Sequence, residues 1–368
     1  NPQPAIDQLD ARNNRLQSNA ELSAFGVSFR AKKFQFRLFH HTKTFALGFY
    51  PKKFMELLWQ GNAPFVGQAI EVAPRLDFSA WSEYGAGFAF QVSPRWSLGT
   101  NIKYLNGLFA INTRRAEAQL FTDPEVYQLS AQTDFLVYSA GLSAFLDGAT
   151  DDLVMYDQGN QVFINQNSGL AVDLGLNFQV SDRLSLAASV ADWGGIHWRE
   201  SATRQFSQGA YSFEGTQIKP FDNAENFDFA EVLDSIDNLV DFRSETMTDG
   251  FKTRLPVRFL LSGQWQYRPS LSFGGLLYTE LYRGNWSPAF ALNARKRLGE
   301  IFEIGTVAGI RHNGIANFGI DMTLRLAGIQ IYGATDNLLP LFDYTRGRQT
   351  NWRVGINIAI LGKPEDAD

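Results

Sequence analysis

Histidine is the first residue type to weigh, because an unperturbed imidazole is the side chain that changes charge between about pH 5 and 8. The sequence has four, His40, His41, His197 and His312. No His-Glu-x-x-His metal motif and no Gly-x-Ser-x-Gly nucleophile turn accompanies them. An outer-membrane lipid hydrolase would need at least a Ser or Thr beside a strand histidine. His40-His41 and His197 read instead as polar residues at strand ends. Cysteine is absent, which excludes disulfides, thiolate metal sites and Cys nucleophiles. Residues 227–242 carry Asp228, Glu231, Asp234, Asp237 and Asp241 on one face of a predicted helix. That face invites a Ca²⁺ reading, but the EF-hand order of Asp, Gly and closing Glu is missing, so a solvated external face is expected. The chain is therefore expected to be non-enzymatic, with no catalytic residues, no metal and no cofactor.

The remaining chemistry lies in a charged set of both signs: Lys103, Arg115, Glu117, Asp173, Arg258, Glu280, Arg295, Arg297, Glu303, Arg311, Asp321, Arg325 and Arg353. Arg258, Arg295, Arg311, Arg325 and Arg353 are the candidate ligand-binding residues, since a guanidinium presents a fork of donors to a carboxylate or phosphate. Two readings are open: these arginines select anionic solutes, or they pair with carboxylates and seal the interior. Either requires elements that point them away from their apolar neighbours.

Those elements are written in a period of two. Along residues 172–180 one face reads Val172, Leu174, Leu176, Phe178 and Val180, the other Asp173, Gly175, Asn177 and Gln179. After Ser181-Asp182 the next segment puts Leu184, Leu186, Ala188 and Val190 against Arg183, Ser185, Ala187 and Ser189. The pattern returns around Ser93-Pro94, Arg268-Pro269 and Gly299, and again over residues 320–326 and 352–360. Runs of about ten alternating residues suit a tilted strand that crosses a bilayer, whereas soluble sandwich strands average about five to six. The tight turns all fall on one side of such a sheet, and longer excursions near 141–168, 193–252 and 334–349 fall on the other, the loop asymmetry of outer-membrane barrels.

Composition agrees. Aromatic residues make up 14% and charged residues only 19% of the 368, below the charged share of about 25% in soluble domains. No run approaches the roughly 18 apolar residues of a membrane helix, and mean hydropathy is −0.19. A barrel strand shows lipid only every second residue, so near-neutral hydropathy is compatible with a membrane wall. Trp96, Trp193, Trp198, Trp265, Tyr267, Trp286 and Trp352 are read as an interfacial girdle. The net charge of −5 argues against a nucleic-acid partner.

The expected fold is all-β, an antiparallel transmembrane β-barrel of about 14 strands, with 12 to 16 allowed and an even count preferred. Residues 21–361 form the barrel, residues 1–20 a lumen plug or periplasmic segment, and residues 362–368 a periplasmic tail. The opening Asn1-Pro2-Gln3-Pro4 is read as the start of a mature, processed chain. Short helices are expected at 51–62 and 227–242. The direction of the first strands is left open by their parity.

The segments PKKFMELLWQGN at 51–62, LGTNIKYLNGLFAINT at 98–113 and DNLLPLFDYTRGRQTNWRVGINI at 336–358 resemble a family of uncharacterised outer-membrane barrels from Bacteroidota. That family is distantly similar to the long-chain fatty-acid transporter barrels, which are 14-stranded with an N-terminal plug, and to barrel partners of Bacteroidota secretion and assembly machinery. The likeness implies a bacterial outer-membrane location, lipid contact, and association with other outer-membrane proteins or lipoproteins. It carries over no functional residue. The expected role is that of a scaffold or partner subunit of an outer-membrane complex; the alternative is passive transport of small or hydrophobic solutes.

Overall fold

A computed structural model describes residues 6–141, 165–213, 242–311, 316–338 and 349–359. The period-two segments form one antiparallel sheet of eighteen strands. The first are β1 (Asn14–Ala31), β2 (Phe34–Tyr50), β3 (Ala69–Glu71), β4 (Arg75–Gln91), β5 (Trp96–Thr122) and β6 (Leu129–Ala140). There follow β7 (Ser168–Ser181), β8 (Leu184–Trp198), β9 (Thr203–Phe213), β10 (Arg243–Thr246), β11 (Phe251–Arg254) and β12 (Val257–Arg268). The last six are β13 (Leu271–Tyr282), β14 (Asn285–Leu298), β15 (Phe302–Arg311), β16 (Ala316–Leu326), β17 (Ile329–Thr335) and β18 (Trp352–Ile358).

The pairing register keeps like faces together. Leu261 on β12 stands opposite Leu277 on β13 and Ala188 on β8, while Arg258 stands opposite Glu280. The apolar set of each strand is exposed, from Phe88, Leu98 and Leu174 to Val354, Ile356 and Ile358, as a lipid-facing surface requires. The alternate set points inward. β11 and β12 lie in one line along β8, broken at Leu255-Pro256, where proline has no N–H to give the ladder.

Five tight turns close at one end, between β1 and β2, β4 and β5, β7 and β8, β12 and β13, and β14 and β15; a sixth, at Ala327-Gly328, joins β16 to β17. That end carries the four turns expected to share a side. At the opposite end β5 outruns its neighbours and carries β6 and β9 as a raised wall, since β6 pairs with β5 and β9, and β10 with β9. Part of the excursion expected at 193–252 is thus strand: β8 continues to Trp198, and Thr203–Phe213 is β9. The helix expected at 227–242 falls almost entirely outside the described residues. The helix expected at 51–62 is α1 (Lys52–Gln60), preceded by Pro51 and stopped at Gly61, whose φ of 72° suits a residue without Cβ.

At the tight-turn end the wall runs β1-β2-β4-β5-β7-β8-β12-β13-β14-β15-β16-β17-β18, thirteen strands. The number lies in the expected range but is odd, because β1 begins at the long-loop end. β1 and β18 consequently run in the same direction, and no pairing joins them among the described residues. Of the segment expected as plug or periplasmic, residues 14–20 open β1, and just before them Ala11 is tied to the long-loop end by the Lys52 N–H donating to its carbonyl at 3.2 Å.

Candidate functional site

The upper interior, toward the long loops, is filled by apolar side chains from opposite walls. Phe45 and Leu47 of β2, Trp81 of β4, Leu105 of β5, Ile196 and Trp198 of β8, Phe251 of β11 and Tyr282 of β13 form one buried cluster. Phe45 meets Tyr282 edge-on with ring centroids 4.9 Å apart, although their strands lie far apart in the sheet. The Trp198 indole lies against Gly107, where a Cβ would collide with its ring, and its Nε1 donates to Thr253 Oγ1 at 2.8 Å. Trp198 was expected in the interfacial girdle; it is fully buried, whereas Trp96, Trp193, Trp265, Tyr267, Trp286 and Trp352 are exposed. The reason is a bulge in β8 that reverses the side on which each later residue points. Trp198→Ala is expected to cost about 3–5 kcal/mol of unfolding free energy, measured by urea titration in micelles against Trp193→Ala, which should cost far less.

Beneath this cluster a belt of ion pairs crosses the lumen. Lys43 of β2 lies 3.0 Å from Glu83 of β4, 3.7 Å from Glu21 of β1 and 3.8 Å from Asp192 of β8. Lys103 of β5 contacts Asp173 of β7 at 2.6 Å and also Asp192, which in turn holds Arg258 of β12. Glu83 accepts a hydrogen bond from Trp81 Nε1 at 3.0 Å, joining the belt to the apolar cluster. Glu83, Lys103 and Asp192 are all buried. Such burial is sustained only when each charge is met, since an unpaired ion costs several kcal/mol. The belt offers Lys43, Lys103 and Arg258 against Glu21, Glu83, Asp173 and Asp192. Closer to the long loops, Arg15 Nη1 of β1 donates to Ser287 Oγ of β14 at 2.6 Å, and Gln17 Nε2 to Glu280 Oε1 of β13 at 3.1 Å. Side chains of β1 thereby reach β13 and β14 across the curl, leaving β15 to β18 beyond the contact.

Below the belt, on the tight-turn side, is a chamber of about 350 Å³. Its two lining rows follow from the ladders. One runs Arg37, Gly87, Asn101, Asp173; the next runs Gln35, Ala89, Gly99, Gly175, Ser189. The Arg37 guanidinium stacks on the Phe39 ring at 4.8 Å. On the outward face of the same wall, a hollow of about 980 Å³ crosses seven strands, β4, β5, β7, β8, β12, β13 and β14, and is walled by side chains such as Phe88, Leu98, Leu174, Leu261 and Leu277. It lies over inward Gly99, Gly175 and Ser189, where little bulk props the wall from within.

Of the five candidate arginines, the fold gathers only two. Arg325 contacts Glu303 at 3.1 Å, and Arg295 contacts Glu303 at 3.4 Å and Asp321 at 3.1 Å, with Arg297 at 3.6 Å from Glu303. Arg258 belongs to the belt, Arg311 pairs with Asp336 at 2.7 Å near the long loops, and Arg353 faces inward on β18 opposite Ala334. Arg115 pairs with Asp134 at 2.7 Å in the raised wall. His40 packs between Phe25 and Tyr84 on the outward face; His41 faces inward 3.7 Å from Glu21; His197 Nε2 lies 2.9 Å from the Asp249 carbonyl. His312 is outside the described residues.

The belt residues missed by sequence reasoning are Glu21, Lys43, Glu83 and Asp192, together with Arg37 in the chamber. Lys43, Glu83 and Arg37 were within reach of parity, since each alternates with outward residues of β2 or β4. Asp192 was not: it sits at the β8 bulge with φ +62°, its N–H donating to Asp173 Oδ1 at 2.8 Å. Simple alternation would have sent it outward.

The family DUF5723, described as a family of unknown function, matches residues 1–336. No curated protein matches the sequence. Among solved structures the chain is similar to the Ralstonia pickettii toluene transporter TbuX, with TM-score 0.39 and 8% identity over 90% of this chain and 85% of that one. It is also similar to the CymD monoaromatic hydrocarbon channel, with TM-score 0.39 and 7% identity over 91% and 85%. A FadL homologue from Pseudomonas aeruginosa gives TM-score 0.34 and 9% identity over 90% and 82%.

Proposed function

We propose, from the premise that this chain belongs to the DUF5723 family, that it is a non-enzymatic outer-membrane barrel passing small solutes through a lumen sealed and gated by its own side chains. One observation carries the reading: a solvent-reached chamber of about 350 Å³ ends at a seal built from side chains of the wall itself. Such a seal can part by rotamer changes and small strand shifts. In this reading the tight turns face the periplasm and the exposed apolar faces meet outer-membrane lipid. The wild-type protein is expected to carry no steady current in a planar bilayer, yet to admit small solutes to proteoliposomes slowly and saturably. A steady ohmic current would mean an open pore, and the absence of solute entry would remove transport altogether.

A second reading, a scaffold within an outer-membrane complex, is favoured by the outer backbone edges of β1 and β18, which pair with no strand among the described residues, since hydrocarbon does not tolerate unpaired N–H and C=O groups. Its partners would be other outer-membrane proteins or lipoproteins. Co-purification in mild detergent tests it, and a lone monomer at native expression levels would count against it.

A further inference from the structure

We infer that the chamber beneath the ion-pair belt is a binding site for a small, hydroxyl-bearing carboxylate, with Arg37 as the group that holds the carboxylate. The site is that of the transport reading and rests on it for its biological use, but binding itself does not require flux.

The charge pattern of the chamber is lopsided. Asp173, its one acidic lining residue, is already engaged by Lys103 at 2.6 Å and by Asn101 Nδ2 at 2.9 Å. Arg37 has no carboxylate within ion-pair distance among the described residues. Its guanidinium is instead held by the Phe39 ring, which lies over Gly85, where a Cβ would strike it. Stacking leaves the planar fork of N–H donors free at its edge, the geometry that meets a carboxylate two-pronged. Arg37 is exposed and meets no acid among the described residues, so water solvates the edge of its fork, and a carboxylate entering the chamber would replace that water with a two-pronged contact.

The rest of the lining calls for hydroxyls. The side chains of Gln35 and Ser189 make no hydrogen bond to another described residue, so each offers a donor and an acceptor to the chamber. The Asn101 amide oxygen lies over Gly87, beside Arg37. A volume of about 350 Å³ is at the small end for ligand pockets and excludes a long acyl chain. Gly99 and Gly175 keep it open: a Cβ built on Gly175 meets nothing nearer than the Gly99 carbonyl oxygen at 3.9 Å. A short hydroxy acid fits both the charge and the hydrogen-bonding groups.

The test is calorimetric titration of the full chain in detergent with gluconate, its neutral analogue sorbitol, and inorganic phosphate. Gluconate is expected to bind saturably, with sorbitol at least about tenfold weaker; phosphate binding in place of gluconate would overturn the carboxylate assignment. Arg37→Gln should weaken gluconate by about tenfold or more, Arg37→Lys by less, because one ammonium replaces part of the fork. Gly175→Leu should abolish binding by filling the chamber, with an unchanged melting temperature showing that the wall is intact. Equal affinity for gluconate and sorbitol, no saturable gluconate binding, or an unaffected Arg37→Gln variant would each overturn the inference. Proteoliposome flux separates the two claims: binding without entry removes transport and keeps the site, and entry without Arg37-dependent binding does the reverse.

Discussion

Replacing Asp192 with Asn is expected to unseal the barrel and to destabilise it by about 3–5 kcal/mol, the cost of breaking a buried ion pair from one side. Lys43, Lys103 and Arg258, from three different strands, converge on this one carboxylate. Lys43 retains Glu83 and Lys103 retains Asp173, but Arg258 loses the only carboxylate it contacts among the described residues. Asn is the informative replacement, because it tolerates the left-handed backbone that Asp192 adopts at φ +62° and so isolates the charge. Urea unfolding in micelles measures the stability, and planar-bilayer recording should show current steps absent from the wild type. Adding Arg258→Met should recover part of the loss, since the stranded cation is then gone. A variant that is silent and as stable as the wild type would mean that the belt neither seals nor supports the lumen.

The second large effect distinguishes the two faces of one strand. Leu261→Arg places a charge on the lipid side near the middle of β12, where the cost is about 2–4 kcal/mol. Ser262→Arg, the next residue, points it inward, opposite Ala187 and Leu276, and should cost much less because the interior on the tight-turn side admits water. Folding yield into lipid vesicles and urea midpoints compare the two directly. Equal penalties would show that both faces are buried in protein, as in a sandwich, and the transmembrane assignment would fall. The same logic extends to Leu277, the register mate of Leu261.

Much of this was legible in the residues because a strand has a side-chain period of two, and one residue's direction then predicts its neighbours'. The outward faces of β7, β8, β12, β13 and β18 were read that way, as were the four turns that share an end and the helix stopped at Gly61. Alternation fails wherever a strand takes in an extra residue. The bulge before Trp193 sent Asp192 into the lumen and Trp198 into the core. Two further bulges on β5, near Gly107 and Arg115, carry it into the raised wall with β6 and β9. The candidate arginines could be placed on the inward side but not grouped, because pairing across a lumen depends on which strands the curl brings face to face.

The amino-acid pattern alone therefore determined that the chain makes long antiparallel strands with one oily face, since that alternation is local and repeats along the backbone. Only the tertiary structure decided that the interior is shut by Phe45, Trp81, Trp198 and the charges around Asp192. It also decided that Arg37 meets no acid among the described residues and that both sheet edges run the same way. Those facts arise from contacts between segments up to some 270 residues apart, such as Arg15 with Ser287, and a local period holds no information about which distant strands will meet.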